Sequence, residues 1–177
     1  QIGVPGELGK PCHDAIRAQV ELAQLHGVHN VKPTAISLTN ATEQGTVLKP
    51  AEVADYGELA KELNLGLHMD GARFSNAVVG SGASPADLTW RSGVDVLTFG
   101  ATKNGAIAAE AVVFFNDRFS EDFAYRRKRA GHLWSKHRFL AAQFDAFLAD
   151  DLWLDNARHA NALAARLANG LSQLPGV

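Results

Sequence analysis

The run Leu65-Gly66-Leu67-His68-Met69-Asp70-Gly71-Ala72-Arg73, followed by Gly93-Val94-Asp95-Val96-Leu97-Thr98-Phe99-Gly100-Ala101-Thr102-Lys103, decides how this chain folds. Each half opens with an apolar stretch of strand length and passes directly into small and charged residues. Leu65 to Met69 predicts a strand ending at Asp70, and Val94 to Phe99 predicts the next, with Lys103 four positions beyond it.

Working outward, Thr34 to Thr39 predicts an earlier strand, released by Pro33 and followed by a polar loop from Asn40 to Thr46. Ala109 to Phe115 predicts a fourth strand. Between these runs the spacing turns helical. Lys10 or Pro11 to His26 carries Ile16, Val20 and Ala23 on one side, and Pro50 opens a helix with Val53, Tyr56, Leu59, Ala60 and Leu63 on one face, closed by Asn64. Ser84-Pro85 has the form of a cap and first helical residue, predicting a helix through Leu88 to Ser92. From Asn116-Asp117 to about Leu171 the pattern is helical in three stretches, split near Gly131 to Ser135 and at Asp150-Asp151. Strands alternating with helices, and apolar almost throughout, indicate an α/β sheet buried on both faces.

At 177 residues and 46% apolar content the chain is sized for one core, and its net charge of −2 with mixed signs provides no field for nucleic acid or an anionic membrane. One cysteine, Cys12, cannot form an internal disulfide, which points to a reducing compartment, the cytoplasm by default. No apolar run reaches the length of a membrane span, and no basic stretch followed by an apolar signal segment opens the chain. The start at Gln1 and the finish at Leu174-Pro175-Gly176-Val177, just after a helical pattern, read as a segment cut at both ends.

In an open α/β sheet the ligand crevice lies beyond the carboxyl ends of the strands. Those positions here are Thr39, Asn40 and Thr42, then Asp70 and Arg73, then Thr102, Lys103 and Asn104. A lysine near a carboxylate is ordinarily a surface ion pair worth about 1 kcal/mol or less. Lys103, however, is surrounded by Gly100, Ala101, Gly105, Ala106, Ala108 and Ala109, which would permit close approach and partial desolvation of a nucleophilic amine. Asp70 on local sequence reads equally well as a helix cap. Together the two match what a pyridoxal cofactor requires, a lysine for the Schiff base and an acid for the ring nitrogen.

The Leu67 to Arg73 block, the Gly93 to Phe99 strand and Lys103, 33 positions after Asp70, resemble the core of the low-specificity threonine aldolases and phenylserine aldolases. The resemblance runs from about residue 7 to the C-terminus. It implies a three-layer α/β/α fold of the aspartate-aminotransferase type, with residues 1–150 part of the large domain of a fold-type I pyridoxal 5′-phosphate enzyme. Residues 151–177 would be a helix leading towards a small C-terminal domain outside this chain. By that resemblance Lys103 carries the cofactor, Asp70 pairs with the pyridinium, and Arg73 lies near O3′ or the substrate carboxylate. Thr102 approaches the phosphate, while Asn40 and Thr42 stand in the loop facing the cofactor and the substrate hydroxyl. The histidine that commoner aldolases carry in this loop is not found in Asn40-Ala41-Thr42-Glu43, and no part of the chain matches the family's phosphate-binding turn or stacking histidine. The implied activity is cleavage of a β-hydroxy-α-amino acid to glycine and an aldehyde, by a homodimer or homotetramer acting on a small-molecule amino acid. Rival readings are another pyridoxal-phosphate lyase or aminotransferase, and an inactive domain with a structural role.

Other polar groups have plainer readings. His68 shares a strand face with Asp70, where it could support the acid through a hydrogen bond, but the plainer reading is a packed, satisfied histidine; the seven histidines show no metal spacing. Arg126 to Arg129 reads as a solvated or interface helix face; His132, Lys136, His137 and Arg138 around a helix break read as solvated, while the resemblance would point some of them towards a cofactor phosphate across a subunit interface. Phe139, Phe144, Phe147, Trp153 and Leu154 read as core or dimer contact, core before contact.

Overall fold

Pro50, whose missing amide costs nothing in a first helical turn, follows Lys49, whose backbone N–H donates to Glu52 Oε2 at 2.8 Å. The resulting helix is one of six in a computed structural model that describes residues 1–25 and 27–174. In chain order the elements are β1 (Gly6–Glu7), β2 (Lys10–Pro11), α1 (His13–Leu25), β3 (Ala35–Thr39), α2 (Pro50–Glu62) and β4 (Gly66–Gly71). They continue with α3 (Phe74–Ser81), β5 (Val96–Gly100), β6 (Glu110–Phe114), α4 (Phe123–Arg129), α5 (His137–Leu148) and α6 (Leu152–Leu171). The first helix starts later than expected because Lys10–Pro11 is paired with Gly6–Glu7 as a hairpin. Its expected end at His26 lies outside the described residues, as do positions 175–177.

The main sheet has the order β3-β4-β5-β6, with β3, β4 and β5 parallel and β6 antiparallel to β5. Register puts Ile36 beside Leu67, Leu38 beside Met69, Met69 beside Leu97 and Leu97 beside Val113, so these side chains share one face. That face is the core. It packs against Val53, Tyr56, Leu59 and Ala60 of α2 and Phe74 and Val78 of α3. Each valine, leucine or phenylalanine among them contributes about 1.5–3 kcal/mol by leaving water.

The opposite face alternates into Ser37, His68, Asp70 and Thr98. Phe119 reaches it beside Gly66, and Phe123 meets Phe114 at 4.9 Å, both at the end where β4 begins. Burial on both faces, expected from the apolar strands, is therefore met on one. Val112 at 39% exposed contrasts with Leu38 at 1%.

Residues 85–92 form turns and a short 3-10 segment (Trp90–Ser92) in place of the expected helix. The cap itself is present, since Ser84 Oγ accepts from Asp87 N at 3.1 Å. The helix does not propagate because Thr89 Oγ1 donates to Pro85 O at 2.6 Å, taking the carbonyl that the next helical amide would use.

The break at Asp150-Asp151 is present, with both residues in the left-handed region. Beyond it α6 stays on the body: Ala157 is fully buried, and Asn161 exchanges hydrogen bonds with Asn76 of α3 at 3.0 and 3.1 Å. Further along, Leu163, Leu167 and Leu171 are exposed at a spacing of four. Phe99 of β5 is ringed by Phe74, Phe144, Phe147 and Trp153 at 5.8–6.1 Å, so those tail residues are core as expected. Phe139, 54% exposed, is not. No helix among the described residues is long and apolar enough to cross a membrane.

Candidate active site

Three loops leave the carboxyl ends of β3, β4 and β5 side by side. The first is tied to the second by Asn40 N donating to Asp70 O at 3.0 Å and Ala41 N to Arg73 O at 3.4 Å. Asn40 is fully buried, its amide accepting from Leu48 N and donating to Leu48 O, both at 3.0 Å. Thr42 is also buried: its hydroxyl meets Thr46 Oγ1 at 2.8 Å and accepts from Thr46 N at 3.1 Å. Both side chains, expected near the cofactor and the substrate hydroxyl, are held by their surroundings: Asn40 by the backbone of Leu48, Thr42 by the hydroxyl and amide of Thr46. Glu43, which no motif singles out beyond its place in this loop, projects outward.

Asp70, at the end of β4, accepts a hydrogen bond from Ala72 N on Oδ1 at 2.9 Å. This closes a tight turn ahead of α3, whose cap position is Arg73, so Asp70 is not the helix cap. Among the described residues its second carboxylate oxygen has no hydrogen-bond partner. Arg73 Nη1 donates to Glu43 Oε1 at 2.7 Å. That hydrogen bond, then the guanidinium charge, holds the Glu43 carboxyl below the usual carboxylate range, and the Lys103 ammonium adds to the effect. Electrostatics thus brings Glu43, Arg73 and Lys103 together, from three different loops.

Lys103 lies in a short 3-10 turn (Thr102–Asn104) and is exposed, with no hydrogen bond or ion pair among the described residues. The partial desolvation expected of its amine is not supplied by this chain. The small residues serve geometry. A Cβ on Gly100 would lie 2.8 Å from Glu110 Oε2 and 3.0 Å from Ala72 Cα, so only glycine lets β5 pass so close to the Asp70 loop. Gly105 has φ +117°, a conformation other residues rarely adopt.

The loop is clamped from outside. Asn104 Nδ2 donates to Trp153 O at 2.8 Å, Asn156 Nδ2 returns a bond to Asn104 O at 2.9 Å, and Gln143 Oε1 accepts from Ile107 N and Ala108 N at 3.0 and 3.2 Å. Thr102 Oγ1 accepts from Ala109 N at 3.1 Å and donates weakly to Ala109 O at 3.4 Å. Asn156 and Gln143 escape a sequence reading because they act across 52 and about 36 residues. Replacing Asn156 by alanine removes one donor from a half-buried carbonyl. It should cost about 1 kcal/mol, visible as a lower Tm, with weaker retention of any ligand held by Lys103.

His68 is satisfied, as the plainer reading had it: Nδ1 lies 2.8 Å from Ser37 Oγ and Nε2 lies 3.4 Å from Thr98 Oγ1. Arg126 to Arg129 end the exposed helix α4, and His137 Nε2 accepts from Trp134 N at 3.0 Å within its own turn. No group of three or more metal-ligating side chains occurs among the described residues.

The family model for beta-eliminating lyases matches residues 2–177. The chain belongs to that family. Within it, this lyase-family chain is 54% identical over 150 residues to a low-specificity L-threonine aldolase of Pseudomonas aeruginosa, covering 85% of this chain and 43% of that protein. A low-specificity L-threonine aldolase of Pseudomonas sp. is 50% identical over 150 residues, covering 85% of this chain and 43% of that protein. The structure of a threonine aldolase from Leishmania major superposes with a TM-score of 0.86 at 29% identity, covering 97% of this chain and 50% of that one. The α/β class and the fold of a threonine aldolase expected for this lyase-family chain are thus present. It spans less than half the length of the curated relatives it matches.

Proposed function

We propose that the protein carrying this chain is a pyridoxal 5′-phosphate-dependent aldolase that cleaves a β-hydroxy-α-amino acid, such as threonine or phenylserine, to glycine and an aldehyde. The observation that carries this reading is the pairing of an exposed lysine amine with a half-free carboxylate at the ends of adjacent strands, in a chain 54% identical to an L-threonine aldolase.

The donor set fits the cofactor at both chemically demanding atoms. When bound, pyridoxal 5′-phosphate supplies an electrophilic carbon for an amine and a ring that takes up the electron pair of the breaking Cα–Cβ bond. Lys103 is the residue that holds it, through Nζ. Asp70 keeps one oxygen on Ala72 N, which fixes the carboxylate plane, and offers the other to the proton of the ring nitrogen. Arg73 presents a guanidinium able to grip O3′ or a substrate carboxylate in place of Glu43. Thr102, exposed beside Lys103, can redirect its weakly bonded hydroxyl proton to a phosphate oxygen. Asn40 and Thr42 hold the loop that carries Glu43.

The same reading takes the full-length protein as a cytoplasmic homodimer or homotetramer. Exposed Tyr125, Leu133, Trp134 and Phe139 supply an apolar surface suited to association. The exposed second half of α6 is assigned as the lead into the small domain.

Incubating the full-length protein with L-threonine, L-allo-threonine or phenylserine should release glycine together with acetaldehyde or benzaldehyde. Formation of 2-oxobutanoate and ammonia from threonine would replace the aldolase reading with an elimination.

A further inference from the structure

We propose that His68 is a positioning residue for Asp70: clasped between Ser37 and Thr98, it braces the carboxylate from the same strand face. The inference rests on the reading of Asp70 as the acid that faces the cofactor ring.

The geometry begins with the strand. His68 and Asp70 are two apart on β4 and share a face; Ser37 stands opposite His68 on β3, and Thr98 opposite Asp70 on β5. The hydroxyls lie at 2.8 Å from Nδ1 and 3.4 Å from Nε2, so one row of hydrogen bonds crosses three strands and ends beside the carboxylate. A neutral imidazole has one donor and one acceptor, and a hydroxyl can serve as either. The row is therefore satisfied without a second ring proton. Packing alone would be met by an apolar residue at this position, as it is at Leu67 and Met69 on the core face.

The charge state decides what the row does. An imidazolium here would pair with Asp70 and compete with a pyridinium for the same carboxylate. Burial pushes the His68 pKa below its ordinary value, and the Asp70 charge only partly opposes this. Ser37 and Thr39 from β3, Val96 and Thr98 from β5 and Glu110 and Val112 from β6 share this face, and among them only Glu110 carries a charge, placed opposite Gly100 rather than Thr98. Asp70 is the charged group that acts on His68. The result is a carboxylate held on one oxygen by Ala72 N, flanked by a rigid neutral ring, with its charge left for the ligand.

The test uses the full-length holoenzyme, with His68→Phe, His68→Gln and Ser37→Ala. His68→Phe should raise the pyridoxal-phosphate dissociation constant by about 10-fold, the scale of losing an outer-shell support, and shift the pH titration of the bound cofactor's visible band. His68→Gln, whose amide can donate to one hydroxyl and accept from the other, should restore both readouts. Ser37→Ala, which leaves the ring in place, should give a smaller shift in the same direction. In histidine NMR of the wild type, His68 should titrate below an ordinary histidine.

Unchanged affinity and an unchanged band titration in His68→Phe would overturn the proposal. So would equal losses in the Phe and Gln variants that follow a fall in apoprotein Tm, since that pattern marks a packing role. A wild type that shows no visible band attached to Lys103 would overturn the aldolase reading as well. A normal wild-type band with an indifferent His68→Phe defeats only the role of His68.

Discussion

Replacing Lys103 by alanine should abolish covalent capture of pyridoxal phosphate by the full-length protein and lower turnover by at least on the order of 10⁴-fold, the scale of deleting a reacting group. The size of the effect follows from the side chain's isolation. Lys103 is exposed and has no hydrogen bond or ion pair among the described residues, while its loop is held by Thr102, Asn104, Asn156 and Gln143. The fold therefore has no need of the amine, and a loss of function will report on chemistry. Borohydride reduction followed by peptide mass analysis is the decisive measurement: the wild type should carry the reduced cofactor on the peptide containing Lys103. An adduct retained by the alanine variant would place the attachment elsewhere.

Asp70→Asn should lower kcat by about 10²- to 10³-fold, as expected when one electrostatic stabiliser of a transition state is removed. The cofactor should still bind. Asparagine keeps the Oδ1 that accepts from Ala72 N, so the turn into α3 survives and Tm should hardly change. What disappears is the negative charge that keeps a ring nitrogen protonated, and with it the electron sink. Steady-state kinetics with a Tm control separates this from misfolding. Turnover like the wild type would remove Asp70 from its assigned place.

The place of both residues at the rim of the sheet was legible in the sequence for the same reason. A buried strand is a short apolar run, and the first polar residues after it are fixed by chain connectivity to the rim of the sheet. That rule puts Asp70 and Lys103 beyond adjacent strands. Asn40 and Thr42 obeyed the rule and still pointed inward. Their partners, the backbone of Leu48 and Thr46, are set by how the loop doubles back, which no local pattern records. The Pro85 to Ser92 segment shows the same limit on a smaller scale: its cap was legible, whereas the Thr89 hydroxyl that stops the helix competes through geometry. Burial on both faces was inferred from strand composition, yet Ser37, His68 and Thr98 line a face whose polarity is visible only once the register is known. The clamp on the Lys103 loop was hidden for a further reason, since exposed asparagines and glutamines are common and their role depends on long-range contact.

The helix α6 has two unequal halves. Its first turns are anchored by Ala157 and the Asn76–Asn161 pair, but Leu163, Leu167 and Leu171 face outward with 40–63% exposure. A helix owes most of its stability to the face it buries. In this 177-residue chain by itself, backbone amides before Asn161 should exchange with deuterium as slowly as the sheet, while those after it exchange orders of magnitude faster. The protection boundary would then fall inside one continuous helix, and anything that covers those leucines should be registered as its movement towards Leu171.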